Sequence, residues 1–277
     1  MTAPPKTDAQ LITDAIGAHG IFFKKALRSR LETISGARVI GEEYPVRYLE
    51  GGAVDLLVEY ASATATFVLP IECKRALATV KKWIFFRDSL PDVKLIYSFK
   101  GAALNVLRSR LIPLARNICI EGVEVDLSKL RGDRKSPYNA ASTDRIWEAA
   151  QQACKGAHGF IQDELQARKQ VGTPRDTQVF PLIVTTADLQ IAGLPPGSVE
   201  LGTGAHVDDL EVTDVPWLVL NHPFTPPSTL GSQHLQVNVS EYADPIRRSE
   251  LSKEGIVVVN AQHVERFFDC LGSGKTV

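Results

Sequence analysis

The stretch Thr66-Phe-Val-Leu-Pro-Ile-Glu-Cys-Lys74 constrains this chain more than any other, because an apolar run of strand length ends in an acid and an amine. Residues i and i+2 of a strand share a face, so Glu72 and Lys74 leave the strand end on one side. Burying charge is costly unless it is paired or holds a metal. The stretch is therefore either a salt-bridged strand end or a piece of chemistry.

Its surroundings predict a sheet. Strand-like runs at 37–48, 53–60 and 64–73 are joined by Glu50-Gly51-Gly52 and Ala61-Ser62-Ala63, both short enough for antiparallel hairpins. Residues 7–34 read as helix in two pieces, broken near Gly17 and Gly20 and stopped by Gly36. After the acid–amine strand end, 75–88 reads as helix, 93–99 as strand, 102–116 as helix and 118–125 as strand. The polar, Gly/Pro-punctuated stretch 129–142 reads as a linker. It divides the chain into a first domain, 1–135, and a second, smaller α/β domain, 142–277. In the second, Ser142 or Thr143 caps a helix running to about residue 169. Strands are expected at 179–185, 189–192, 215–220, 235–239 and 256–259, and a closing helix at 261–271.

Composition excludes several classes. No apolar stretch among the 277 residues approaches the roughly 20 needed to span a bilayer. MTAPPKTDAQ lacks the basic-then-apolar order of a signal peptide. Cys73, Cys119, Cys154 and Cys270 are scattered, which suits free thiols of a cytoplasmic protein rather than a disulfide frame or zinc site. The six histidines form no HxH or HxxxH pattern and are assigned to surface or core, and no phosphate-binding glycine loop is present.

Three acid-x-Lys triplets occur: Glu72-Cys73-Lys74, Asp92-Val93-Lys94 and Asp133-Arg134-Lys135. Only the first ends a buried strand with an acid on the neighbouring strand. With 61–63 as the turn, Asp55 falls across from Glu72. Two carboxylates meeting there repel unless a cation joins them, and hard oxygen ligands suit Mg²⁺ or Mn²⁺. The backbone carbonyl of Cys73 is placed to be a further ligand, and Lys74 stands beside the metal's water.

With Asp55 opening the second strand and Glu72-Cys73-Lys74 ending the third, the chain resembles the PD-(D/E)xK nucleases, the restriction-endonuclease-like superfamily, over about residues 7–100. The resemblance implies a core of helix, three antiparallel strands, helix and strand. It also implies metal-dependent phosphodiester hydrolysis, with Asp55 and Glu72 as ligands and Lys74 beside the attacking water. Val54 stands where the family pattern has Pro, and Pro91-Asp92 is a decoy with no acid-x-Lys strand after it. Many members add an acid from the first helix. A helix pointing its N-terminal end at the site favours Asp14 over Glu32, and Glu42 and Glu43, mid-strand, rank lower.

The net charge of −1 hides an uneven distribution: ten basic residues against two acids lie between Lys74 and Arg116. A local positive field suits a polyanion, and Lys81, Lys82 and Arg87 are the expected phosphate contacts on the helix after the site. Trp83, Phe85 and Phe86 are assigned to core. The expectation is thus a DNA endonuclease whose second half serves target recognition, dimerisation or partner binding. The alternative is a nuclease-fold module without activity that binds nucleic acid or protein.

Overall fold

The computed structural model describes residues 6–18, 20–46, 52–63, 65–76, 81–87, 94–100, 103–108, 117–131, 140–171, 176–193, 210–224 and 253–273. The chain opens with helices α1 (Asp8–Ala18) and α2 (Ile21–Leu31), then strands β1 (Ala37–Pro45), β2 (Ala53–Ala61) and β3 (Thr66–Lys74). Next come β4 (Lys81–Arg87), β5 (Lys94–Lys100), β6 (Ala103–Arg108), β7 (Ile118–Asp126), α3 (Leu127–Arg131) and β8 (Ala141–Ser142). Helix α4 (Asp144–Val171) is followed by β9 (Thr177–Val179), β10 (Leu182–Thr185), β11 (Asp188–Ala192), β12 (Val212–Asp214), β13 (Trp217–Pro223) and β14 (Lys253–Asn260). A 3₁₀ turn, Ala261–His263, leads into α5 (Val264–Ser273). The fold is α/β, with one large mixed sheet and five helices among the described residues.

The two halves share that sheet. One edge of β3 carries β2, antiparallel with Leu56 opposite Ile71. The other edge carries β9 along Thr66–Val68 and β10 along Ile71–Lys74, both parallel. Strands from either side of the expected 129–142 linker therefore alternate, and residues 1–135 and 142–277 do not form separate sheets. The chain leaves β3 and returns through α4 to β10, which lies parallel beside it.

β10 and β14 are buried on both faces, which is why Leu182-Ile-Val and Ile256-Val-Val-Val read as unbroken apolar runs. On one face, Leu56, Leu69, Ile71, Leu182, Val184, Val257 and Val259 meet Leu27 and Leu31 of α2 and Phe267 and Phe268 of α5. On the other, Leu57 and Val68 meet Ala157 and Ile161 of α4, while Ile183 and Val258 join Ile146, Ala149, Ala150 and Ala153 of the same helix. Only Thr186 and Ala187 separate β10 from β11, yet β14, β13, β7 and β4 lie between them along the hydrogen-bonded path. The sheet must therefore curl back on itself, and the first half of α4 packs among the residues of that curl. β3 and β4 turn the same corner alongside: β3 pairs β10, then β4 pairs β11. Thr186 pins the corner, its Oγ1 accepting from Ala76 N at 2.8 Å and donating to Ala76 O at 2.5 Å.

Two expected helices are strands. Within 75–88, residues 81–87 form β4, because Trp83 and Phe85, two apart, share one buried face in an aromatic, β-favouring sequence. Within 102–116, residues 103–108 form β6, paired antiparallel to β5 from Lys100 opposite Ala103 onward. The break near Gly20 is real; that residue sits at φ 77, a left-handed conformation open to glycine. The expected strand at 235–239 lies outside the described residues.

Gly156 lets α4 approach the sheet. A Cβ there would fall well inside van der Waals contact with Val54 Cγ2 and 3.3 Å from Pro70 Cβ. Val54 is fully buried and β-branched, so it cannot easily yield. Gly156→Ala should therefore destabilise the protein by about 1–3 kcal/mol, overriding the gain of about 1 kcal/mol that alanine brings to a helix interior. Urea unfolding measures this, and Val54→Ala should recover part of the loss in the double variant.

Candidate active site at the end of β3

Antiparallel pairing brings the acids together. One step beyond Leu56↔Ile71, Asp55 falls opposite Glu72; between Glu42↔Leu56 and Tyr44↔Val54, Glu43 falls opposite Asp55. Glu43, Asp55 and Glu72 thus occupy one row across β1, β2 and β3.

The row is not flat. Glu42 pairs with Arg28 and Glu43 with Lys24, so two consecutive strand residues reach the same helix, α2. An unbroken strand would send them to opposite faces. Glu43 escapes that rule through its left-handed backbone, φ 47. On β2, Leu56 packs on the α2 side while Val54 packs on Gly156 of α4. Alternation would keep those two on one face, so it breaks at Asp55, whose carboxylate turns toward Cys73 and Lys24.

Asp55 Oδ2 accepts a hydrogen bond from Cys73 N at 2.8 Å, and Oδ1 lies 3.6 Å from Lys24 Nζ. The carboxylate is therefore held at both oxygens. In an extended strand the N–H and C=O of one residue point to the same edge, so the Cys73 carbonyl also faces the Asp55 side. Glu72 is nearly sealed from solvent, its side chain 5% exposed, and Lys74 Nζ is 2.9 Å from its Oε1. Lys74 also lies 3.3 Å from Oε1 of Gln152, on α4. Asp55 and Lys74 remain 24% and 19% exposed, which leaves the site reachable from their side.

The electrostatics match that geometry. Burial, reinforced by the neighbouring Asp55 charge, pushes the Glu72 carboxyl up to about 7, against the lowering influence of Lys74 and Lys24. Burial and the same two acids raise the Cys73 thiol, so it is no nucleophile.

The expected trio of Asp55, Glu72 and Lys74 is brought together at this strand end. Asp14 is not part of the cluster; it pairs with Lys6 at 2.6 Å in the exposed helix α1. The left-handed turn at Gly20 separates that helix from α2, and α2 supplies a cation instead of an acid. Lys81 and Lys82, expected as phosphate contacts on a helix, are on a strand instead. Both lie on β4, Lys81 bonded to Glu124 at 2.7 Å and Lys82 paired with Asp188. Arg87, at the exposed end of β4, is likewise on a strand. His158 and His222 are buried, as the core assignment has it.

Sequence reasoning missed Lys24 and Gln152; Glu43, ranked low as a metal ligand, meets Lys24. Lys24 could have been found from the requirement that α2 point its first turns at the site. The Glu43 conformation left no mark in the sequence.

Among the described residues, no group of three or more His, Cys, Asp or Glu side chains gathers into a metal cage. Two carboxylates and a strand carbonyl nevertheless fit Mg²⁺, which usually takes one or two protein carboxylates and keeps several waters. Burial first, and the Asp55 charge after it, raise the Glu72 carboxyl, and an ion between the two acids would relieve the second of these. No family model, curated protein or solved structure matches the chain.

Because the folded Glu72 carboxyl sits near 7 and the ordinary value is 4.5, the folded state binds this proton more tightly than the unfolded state. That contribution is fully present below about pH 4.5 and is lost as pH rises through 7. Glu72→Gln mimics the protonated side chain. In metal-free buffer, its stability relative to the native sequence should improve by about 2 kcal/mol from pH 5 to pH 8. Denaturant unfolding at both pH values is the check, and a difference that stays constant or shrinks with rising pH contradicts the buried-acid account.

Proposed function

We propose that this protein is a divalent-metal-dependent nuclease hydrolysing phosphodiester bonds, acting on DNA as an endonuclease. The observation that carries the reading is the strand-end cluster: Asp55 and Glu72 on adjacent strands in register, and Lys74 bonded to Glu72. The PD-(D/E)xK resemblance is supported by chain order as well. Helix α2, antiparallel β1, β2 and β3, helix α4 and β10 parallel to β3 follow the implied sequence of elements, with β4 to β8 and α3 intervening before α4 and β9 after it. The crossover helix is then α4, not the 75–88 segment.

In this reading, Asp55, Glu72 and the Cys73 carbonyl would hold Mg²⁺ or Mn²⁺, which would supply a Lewis acid and a water of lowered pKa. Asp55 is already fixed through Oδ2 and presents Oδ1. Glu72 must give up its proton, or its bond to Lys74, to become a ligand. Lys74, released from Glu72 and steadied by Gln152, would orient the attacking water and offset negative charge developing on the phosphoryl and leaving oxygens.

The test is incubation of supercoiled and linear DNA with Mg²⁺ or Mn²⁺. The native sequence should cleave; Asp55→Ala and Lys74→Ala should lower the rate by at least about a hundredfold. EDTA should abolish cleavage. Activity indifferent to both substitutions removes the site. DNA binding with no metal-dependent cleavage favours a binding module, a reading for which the ammonium already seated on each acid provides a motive.

A further inference from the structure

Lys24 has a place in this site that the metal-binding reading does not use. It projects from α2 one turn before Leu27, whose burial anchors that part of the helix. Its side chain is only 16% exposed, unusual for lysine, and its ammonium contacts two acids on two strands: Glu43 and, at 3.6 Å, Asp55 Oδ1. Asp55 cannot turn away, because Oδ2 is held by Cys73 N–H. Glu43 is different: its side chain is 61% exposed. The ammonium is thus shared between a fixed acid and an exposed, freer one.

We infer that Lys24 is the resident counter-cation of the metal-free site. It shields Asp55 while no divalent ion is bound, and it must withdraw onto Glu43 when one enters. This rests on the metal-dependent reading above. A dication bound to Asp55 would share that carboxylate with the Lys24 ammonium 3.6 Å from Oδ1, and the two cations repel each other in a partly buried site. Glu43 gives the displaced ammonium a partner that never has to leave solvent. Lys24 is thus a positioning residue that sets how readily the site accepts a cation, and Glu43 is its second seat.

Calorimetric titration of MnCl₂ into the full-length, metal-free protein, without DNA, tests this. Lys24→Met keeps the aliphatic stem and removes the charge; it should tighten Mn²⁺ binding on the order of tenfold. Lys24→Arg should bind within about twofold of the native sequence. Glu43→Gln, which deprives the ammonium of its second seat, should weaken binding, and this effect should shrink in the Lys24→Met background. A purely structural lysine would not improve metal affinity when removed. Unchanged or weaker binding by Lys24→Met overturns the inference while leaving the nuclease reading standing. An equal effect of Glu43→Gln in both backgrounds overturns the coupling of the two residues. Native protein that binds no Mn²⁺ overturns the inference and the metal-dependent reading together. If Lys24→Met fails to fold, Lys24→Gln gives the same readout.

Discussion

The parallel pairing of Ile71–Lys74 with Leu182–Thr185 is the constraint on which the rest of this structure depends. It joins chain segments more than a hundred residues apart, and it requires a crossover that α4 provides. It also buries β3 on both edges and both faces, leaving charge only at the strand end. Lys74 O accepts from Thr186 N at 3.2 Å, and Thr186 Oγ1 then engages Ala76. The backbone just past Glu72 and Lys74 is consequently fixed by the same strand that supports their backs. A constellation of charged groups needs such support, because each group would otherwise reach solvent by local fraying.

Holding these charges together has an energetic cost that the fold offsets in three ways. Glu72 is partly relieved by taking a proton and partly by Lys74. Asp55 draws on a backbone N–H as well as Lys24, and a charged acceptor makes that hydrogen bond stronger than a neutral one. Glu43 keeps most of its hydration. No buried carboxylate in the row stands alone, which is the condition under which buried charge is tolerated. A buried acid pair is poor economy for stability alone, since apolar residues of similar volume usually do as well or better. That asymmetry is the physical reason to read the cluster as chemistry.

Much of the site was legible in the sequence because hairpin geometry is local. Short connections at 61–63 fix the register of β2 on β3, and register fixes which acids meet. The Glu72–Lys74 pair follows from strand periodicity alone. The two-piece helix, the three strands and the long α4 were likewise written in apolar spacing and glycine punctuation. The mistaken helices at 75–88 and 102–116 failed for one reason: short amphipathic runs such as Lys81-Lys-Trp-Ile-Phe-Phe-Arg87 fit helical and strand periods alike, and tertiary pairing decides. Pairing with β7 and β11 lay beyond any local signal. The shared sheet escaped notice for the same reason, since a polar stretch at 129–142 looks alike whether it ends a domain or crosses over one.

Charge counted along a chain is not the field a polyanion meets. The basic segment after Lys74 looked like a phosphate-binding face, yet folding sets Lys81 and Lys82 against acids from distant strands. Lys81 meets Glu124, whose carboxyl is pushed up by burial but held below its ordinary value by hydrogen bonds from Lys81 and Trp83 and by Arg145. Lys82 meets Asp188, and Arg75 Nη1 donates to the Gly17 carbonyl at 2.5 Å. These groups tie strands and helices together, so their removal should act on folding. At the end of β3 the two ammonium groups are likewise taken up by acids, Lys24 on Asp55 and Lys74 on Glu72. Positive charge at this site is held by acids on every side: Lys74 by Glu72, and Lys24 by both Asp55 and Glu43.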